Sequence, residues 1–202
     1  MTVPLAILDR DGTLIDVVRD EETGAITVAF HPDQIRFLPG AVEGLRALQN
    51  AGYTLAVATN QPAPAKGQFS AAAVHRTNAA LVAKLAVEGV RIAAVEVCMH
   101  HPLGGPGGDP ALVQRCECRK PMPGMLTAVA SRLGADLRRS WMIGDGAGDL
   151  EAGRAAGVHT ALVFADNRCE LCPLRDAGPA GLRPDLHGAD LLQIARGILL
   201  RS

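Results

Sequence analysis

The sequence predicts a three-layer α/β fold, with a mainly parallel sheet covered by helices on both faces. Two observations point to it. Short apolar, strand-like runs alternate with helical segments along the whole chain, the pattern that makes parallel sheets. Polar residues also cluster where those apolar runs stop, which is where open α/β sheets place their ligands.

In order, Leu5-Ala6-Ile7-Leu8 is a short buried strand stopped by the Asp11-Gly12 turn. Val17 to Asp33 is mixed and polar and reads as an exposed loop. Pro39-Gly40 precedes a helix with Val42, Leu45 and Leu48 on one face, ended by Ala51-Gly52. Tyr53 to Ala58 is the next strand, and Ser70 caps a long helix carrying Val74, Leu81, Leu85 and Val87. Ile92 to Val97 is a third strand, followed after Leu103 by a loop rich in glycine and proline. Met125 to Leu133 is a helix and Trp141 to Ile143 a strand ending at Gly144-Asp145. Asp149 caps a helix running through Ala156, and Thr160 to Phe164 is a further strand. Pro173 to Pro184 is a surface excursion, and Asp190 opens a final helix ending near Leu200. With 202 residues, no internal repeat and no linker, the expectation is one domain over residues 1–202.

Composition excludes several partners. A formal net charge of −1 gives no pull toward nucleic acid or anionic membranes, and aromatics at 3% leave few stacking platforms for bases. No apolar run approaches the roughly 20 residues of a membrane span, and no signal-peptide pattern opens the chain. A cytoplasmic monomer without nucleic-acid or membrane partners is expected. Its cysteines would then be reduced or metal-bound.

Four polar clusters carry the chemistry. In Asp9-Arg10-Asp11-Gly12-Thr13, residues two apart at a strand end face one pocket. One carboxylate can attack phosphorus and the other can pass a proton to the leaving oxygen. Their mutual repulsion favours a hard cation such as Mg²⁺. Thr59-Asn60-Gln61 offers a hydroxyl and backbone N–H groups to phosphoryl oxygens. In Arg119-Lys120-Pro121, lysine supplies a point charge and arginine a fork for a second anion. In Gly144-Asp145-Gly146-Ala147-Gly148-Asp149, Asp145 can complete a Mg²⁺ shell while Asp149 supports that shell or caps the helix. Three rivals fail at this last segment. The third glycine of a dinucleotide fingerprint is Asp149. A calcium loop from Asp145 would have Leu150 and Ala156 where glycine and glutamate belong. No P-loop lysine follows.

Cys98, His100, Cys116 and Cys118 form a Cys₃His set suited to a closed structural zinc that pins the loop from Leu103 to Arg115. His101 is the alternative ligand. Cys169 and Cys172 read as incidental thiols, and His31, His75, His159 and His187 receive no role.

Together these motifs resemble the haloacid-dehalogenase-like superfamily over roughly residues 5 to 165. Within it, Asp-Arg-Asp-Gly-Thr, Thr-Asn-Gln, Cys98-Met99-His100-His101-Pro102 and Cys116-Glu117-Cys118-Arg119-Lys120-Pro121 are similar to the D-glycero-D-manno-heptose 1,7-bisphosphate phosphatases and the related histidinol-phosphate phosphatases. The resemblance implies a Rossmann-like sheet without a large cap domain and a Mg²⁺-dependent phosphatase working through an aspartyl-phosphate. It implies Asp9 as nucleophile and Asp11 as acid and base. Mg²⁺ would lie on Asp9, the Asp11 carbonyl and Asp145, with Thr59 and Lys120 steadying the phosphoryl group. Asn60, Gln61 and Arg119 would contact substrate. The implied substrate is the heptose bisphosphate, cleaved at its C7 phosphate for heptose biosynthesis; the alternatives are histidinol phosphate or another small sugar phosphate. A catalytically inactive zinc-stapled module and a nucleic-acid end phosphatase are weaker readings. The chain departs from the family at Pro62-Ala63-Pro64-Ala65-Lys66-Gly67 and at Gly146, which bears on specificity more than on chemistry.

Overall fold

The computed structural model describes residues 2–19, 21–22, 24–164 and 182–201. Among the described residues there are eight strands and five helices, and from α1 onward they largely alternate, as expected. They are β1 (Leu5–Leu8), β2 (Val18–Arg19), β3 (Ile26–Thr27), α1 (Ala41–Asn50), β4 (Thr54–Asn60), α2 (Ala71–Val87) and β5 (Ile92–Cys98), then α3 (Gly124–Leu133), β6 (Trp141–Gly144), α4 (Ala147–Ala156), β7 (His159–Val163), β8 (Leu186–Gly188) and α5 (Leu191–Leu199).

Six strands form one parallel sheet in the order β5-β4-β1-β6-β7-β8. From β1 the chain winds outward through β4 to β5, then returns to lay β6 on the other side of β1. The strand order therefore reverses beside β1, and a crevice opens there at the carboxyl ends of the strands.

Period-two alternation sorts the central strands between two cores. Ala6, Leu8, Leu55, Val57 and Ile143 face a cluster built with Leu45 and Leu48 of α1, Leu81 and Leu85 of α2, and Ile194 and Ile198 of α5. Leu5, Ile7, Ala56, Ala58 and Met142 face Met125, Leu126 and Val129 of α3 and Ala152 of α4. Because β1 is buried on both faces, the charged residues just after it are held on a rigid base.

The structure corrects several expectations. The segment from Val17 to Asp33 is not a plain loop: β2 and β3 pair as a hairpin. His31 then caps a 3₁₀ turn at Pro32–Gln34, its Nδ1 accepting from Asp33 N–H. Phe30 stacks on Phe69 with ring centroids 3.9 Å apart. β4 runs on through Thr59 and Asn60, which pair with Val97 and Cys98. Val87 is exposed. Strand β8, three residues long, was not expected. Asp149 lies inside the first turn of α4, with its carboxylate accepting from Gly146 N–H. As expected, Ser70 caps α2 and Asp190 caps α5. Cys169, Cys172 and most of the stretch from Pro173 to Pro184 lie outside the described residues.

Ser140, fully buried ahead of β6, accepts from Leu5 N–H at 2.8 Å and donates to Asp136 O at 2.6 Å. Ser140→Ala strands a buried N–H and should cost about 1–3 kcal/mol. Urea unfolding should show a lower midpoint with an unchanged slope.

Candidate active site

Three neighbouring strands deliver site residues, and two of them, β1 and β6, deliver acids. Asp9 follows β1, and its N–H donates to Ile143 O of β6 at 2.9 Å. Thr59 sits near the end of β4 and Asp145 just beyond β6. Carboxylate oxygens of Asp9, Asp145 and Asp149 all lie within 4.8 Å of one another. Gly12 allows this approach. It adopts φ +78°, and a Cβ there would lie 2.0 Å from Asp145 Oδ2, so only glycine fits.

Lys120 closes the group. Its Nζ lies 2.9 Å from Asp9 Oδ1 and 2.5 Å from Asp149 Oδ1, and donates to Ala58 O at 2.8 Å. Burial pulls the Lys120 pKa down, but the charges of Asp149 and Asp9 more than offset it, so the net shift is upward and the ammonium stays charged. The backbone around it is clamped: Asn60 Nδ2 donates to Lys120 O, and Asn60 Oδ1 accepts from Lys120 N–H.

Asp11 has a different environment. Arg10 donates to it through Nε to Oδ2 at 3.0 Å and Nη2 to Oδ1 at 3.1 Å, and Gln61 Nε2 donates to Oδ2 at 2.6 Å. Burial pushes the Asp11 carboxyl up, against the opposing pull of the Arg10 guanidinium; the nearby Asp9 charge adds to the rise.

A second cluster sits at the end of β5. Cys98, His100, Cys116 and Cys118 present ligand atoms within 4.8 Å of one another. Cys118 Sγ is 3.2 Å from Cys98 Sγ, 3.3 Å from Cys116 Sγ and 3.3 Å from His100 Nδ1. A tetrahedral zinc with thiolate bonds near 2.3 Å would set sulfurs about 3.7 Å apart, so a small expansion accommodates the ion. Burial raises the thiol pKa values of Cys98 and Cys118, so zinc binding must expel their protons. His101 stands outside the set; its Nδ1 accepts from Leu103 N–H. The loop that follows seats against the segment before α2: Asp109 N–H donates to Pro64 O. A Cβ on Gly108 would fall 1.9 Å from Ala65 O, so close packing excludes any side chain there.

Comparison with known proteins identifies the family. The HAD-hydrolase-like family model matches residues 117–189. The D-glycero-beta-D-manno-heptose-1,7-bisphosphate 7-phosphatase of Pseudomonas aeruginosa is 36% identical over 163 residues, covering 81% of this chain and 82% of that one. The Escherichia coli K12 enzyme of the same name is 33% identical over 162 residues, covering 80% and 79%. This chain belongs to the HAD-like phosphatases. Among solved structures, the D,D-heptose 1,7-bisphosphate phosphatase from B. bronchiseptica, complexed with magnesium and phosphate, superposes with a TM-score of 0.76 at 30% identity, over 98% of this chain and 99% of that one.

In this HAD-like phosphatase the residues present fit a divalent, oxygen-seeking cation. Three carboxyl groups face a single ammonium, an excess of acidic oxygens that suits a divalent cation. Asp9 Oδ1 is buried and makes no aligned hydrogen bond. Asp149 is committed through both oxygens, to Lys120 and to Gly146 N–H, whereas Asp9 gives only Oδ1 to Lys120, so the other Asp9 oxygen and Asp145 remain for a cation.

Two expected substrate contacts turn inward instead. The Asn60 amide holds the Lys120 backbone, and Gln61 Nε2 is spent on Asp11 and Thr59 Oγ1. Arg119 lies by the zinc cluster, with Nη1 donating to His100 O at 3.3 Å. Sequence reasoning gives no role to Arg10, which is fully buried beside Asp11; its place two residues after an apolar run was the one available signal, since a buried cation must find partners.

Burial and the charges of Asp9 and Asp149 raise the Asp145 carboxyl from 3.8 to about 8. A folded value above the unfolded one gives stability that is present below pH 4 and lost as pH rises through 8. Added Mg²⁺ should therefore raise the Tm more at pH 8.5 than at pH 5.5, where protons compete for the same oxygens; thermal scans with and without Mg²⁺ measure the difference. Metal analysis should find about one zinc per chain. Cys118→Ser should lower that stoichiometry and the Tm together.

Proposed function

We propose that this chain is a Mg²⁺-dependent phosphomonoester hydrolase that removes the C7 phosphate of D-glycero-D-manno-heptose 1,7-bisphosphate. The observation that carries the chemistry is the seat of Lys120 Nζ, 2.9 Å from Asp9 Oδ1 at the carboxyl end of β1. A nucleophile and a fixed cation at that spacing can grip one phosphoryl group from two sides.

In this reading the free carboxylate oxygen of Asp9 forms a bond to phosphorus while the bond from phosphorus to the sugar oxygen breaks. Asp11 gives its proton to the departing oxygen. The resulting Asp11 carboxylate takes a proton from water, which attacks the phosphorus of the aspartyl-phosphate. Asp9 is regenerated and inorganic phosphate leaves. Burial suits Asp11 to the first half of this cycle, because a raised pKa retains a proton to give. Thr59 and Lys120 hold the phosphoryl oxygens as their charge changes. Asp9, the Asp11 carbonyl and Asp145 would hold Mg²⁺, which when bound neutralises charge on the phosphoryl group.

The second phosphate of the substrate suits the cationic mouth next to the zinc loop. Burial first, and then the charges of Lys66 and Arg119, depress the His101 pKa, which places these three side chains in one electrostatic neighbourhood. An arginine fork there can clamp a distal phosphate. The names of the relatives support the heptose. One chain supplies every residue of this reading, which is the basis for proposing a monomer. Three clustered free thiols suit a reducing cytoplasm. Among the described residues no helix is long and apolar enough to cross a membrane.

Phosphate release from the heptose bisphosphate should exceed that from histidinol phosphate, and faster turnover of histidinol phosphate would reverse the assignment. Asp9→Asn should lower kcat by at least about 10³-fold while the fold, followed by circular dichroism, is retained.

A further inference from the structure

Arg10 is the largest fully buried side chain of the described residues and lies between the two acids, yet the reaction as written gives it no task. Its guanidinium donates four hydrogen bonds to partners from three parts of the fold. Nε and Nη2 fork onto Asp11, Nη2 also donates to Ala29 O at 2.9 Å, and Nη1 donates to Asn78 Oδ1 at 2.7 Å. Ala29 follows the β2–β3 hairpin, and Asn78 projects from the middle of α2. Asn78 is itself buried, and its Nδ2 has no hydrogen-bond partner. Leaving an amide N–H unpaired in the interior is unfavourable. The arrangement persists because the amide oxygen meets a cation, and this tie fixes which way the guanidinium points.

The consequence falls on Asp11. Its Oδ2 accepts from both Arg10 and Gln61, whereas Oδ1 accepts from Arg10 alone. One oxygen is anchored twice and the other keeps lone-pair capacity for a proton. An aspartate at a strand end otherwise swings freely about two side-chain torsions, and proton transfer in the transition state requires a fixed donor.

We infer that Arg10, aimed by Asn78, is a positioning residue that locks the Asp11 carboxyl so that Oδ1 delivers the proton to the leaving oxygen. The inference rests on the phosphatase reading above and deepens it. It also ties the acid, through Ala29, to the segment that follows the β2–β3 hairpin.

Leaving-group dependence separates this role from a merely structural one. An alkyl phosphate leaves as an alkoxide and needs the proton; p-nitrophenyl phosphate leaves as a stable anion and does not. The ratio of kcat/KM is the informative quantity because it ends at the first irreversible step, before Asp11 acts as a base. Asn78→Ala and Arg10→Lys should each lower kcat/KM for a sugar phosphate by roughly 10²-fold, with p-nitrophenyl phosphate changed by less than about 3-fold. Asn78→Ala leaves Arg10 in place and decides the matter alone if Arg10→Lys does not fold. Equal losses on both esters, or no loss on the sugar phosphate, would overturn the positioning role while leaving the phosphatase reading intact. A wild-type chain inert toward both esters would sink that reading and this one together.

Discussion

The buried ammonium of Lys120 is the constraint around which the active end of the molecule is arranged. A lysine with only 3% of its side chain exposed must be surrounded by compensating groups. Asp9, Asp149 and the Ala58 carbonyl supply them from three different elements. Removing one partner of a buried ion pair typically costs about 3–5 kcal/mol, because the other charge is left uncompensated. The lysine therefore welds β1, β4 and the start of α4 at the point where the sheet order reverses. The group that would act on a phosphoryl oxygen is also the group that holds its neighbours in register.

Lys120 reaches this position on a short, irregular segment, and two devices hold that segment. The Asn60 amide grips Lys120 at both its N–H and its carbonyl, extending the edge of β4 by a side-chain mimic of a strand. Two residues before the lysine stands Cys118, the hub of the Cys₃His cluster, with Sγ contacts to Cys98 and Cys116 and one to His100 Nδ1. A metal on those four ligands would fix residues 116–118 to the end of β5 and so couple a structural ion mechanically to the position of Lys120. The glycine-rich loop between the ligand pairs lies flat against Ala65 and Lys66, which carries the same rigidity to the cationic mouth.

Much of this was legible in the sequence because the decisive signals are abrupt. Leu5–Leu8 and Trp141–Ile143 are apolar runs that stop at Asp9 and just short of Asp145, and a sudden charge after a buried strand marks a strand end at a pocket. The spacing of Cys98, His100, Cys116 and Cys118 gave the second cluster before any coordinates. What escaped notice depends on long-range pairing. Thr59 and Asn60 are polar and read as a turn, but β5 supplies backbone partners through Cys98 and keeps them in the sheet. The hairpin strands are two residues each and β8 three, too short for any periodicity to register. Beyond its place after an apolar run, Arg10 carries no separate signal in the sequence, because its partner Asn78 lies sixty-eight positions away. Asn60 and Gln61 were matched to the right place and given the wrong direction, since an amide at a strand end can turn outward to a ligand or inward to a backbone.

Charge then explains why the two acids of the motif have separate fates. Asp11 is balanced by Arg10 within the protein, so its carboxyl needs no external cation and can shuttle a proton. Asp9, Asp145 and Asp149 share one lysine, and burial, followed by the charges of Asp9 and Asp149, drives Asp145 up to about 8. A phosphate dianion approaching that group alone would meet repulsion. With a divalent cation in place the same residues become neutral overall, and the lysine is left to attract the incoming oxygens. The excess of acids over bases at the strand ends would thus make phosphate binding conditional on the metal, and the internal salt bridge at Asp11 would keep the proposed proton carrier outside that condition.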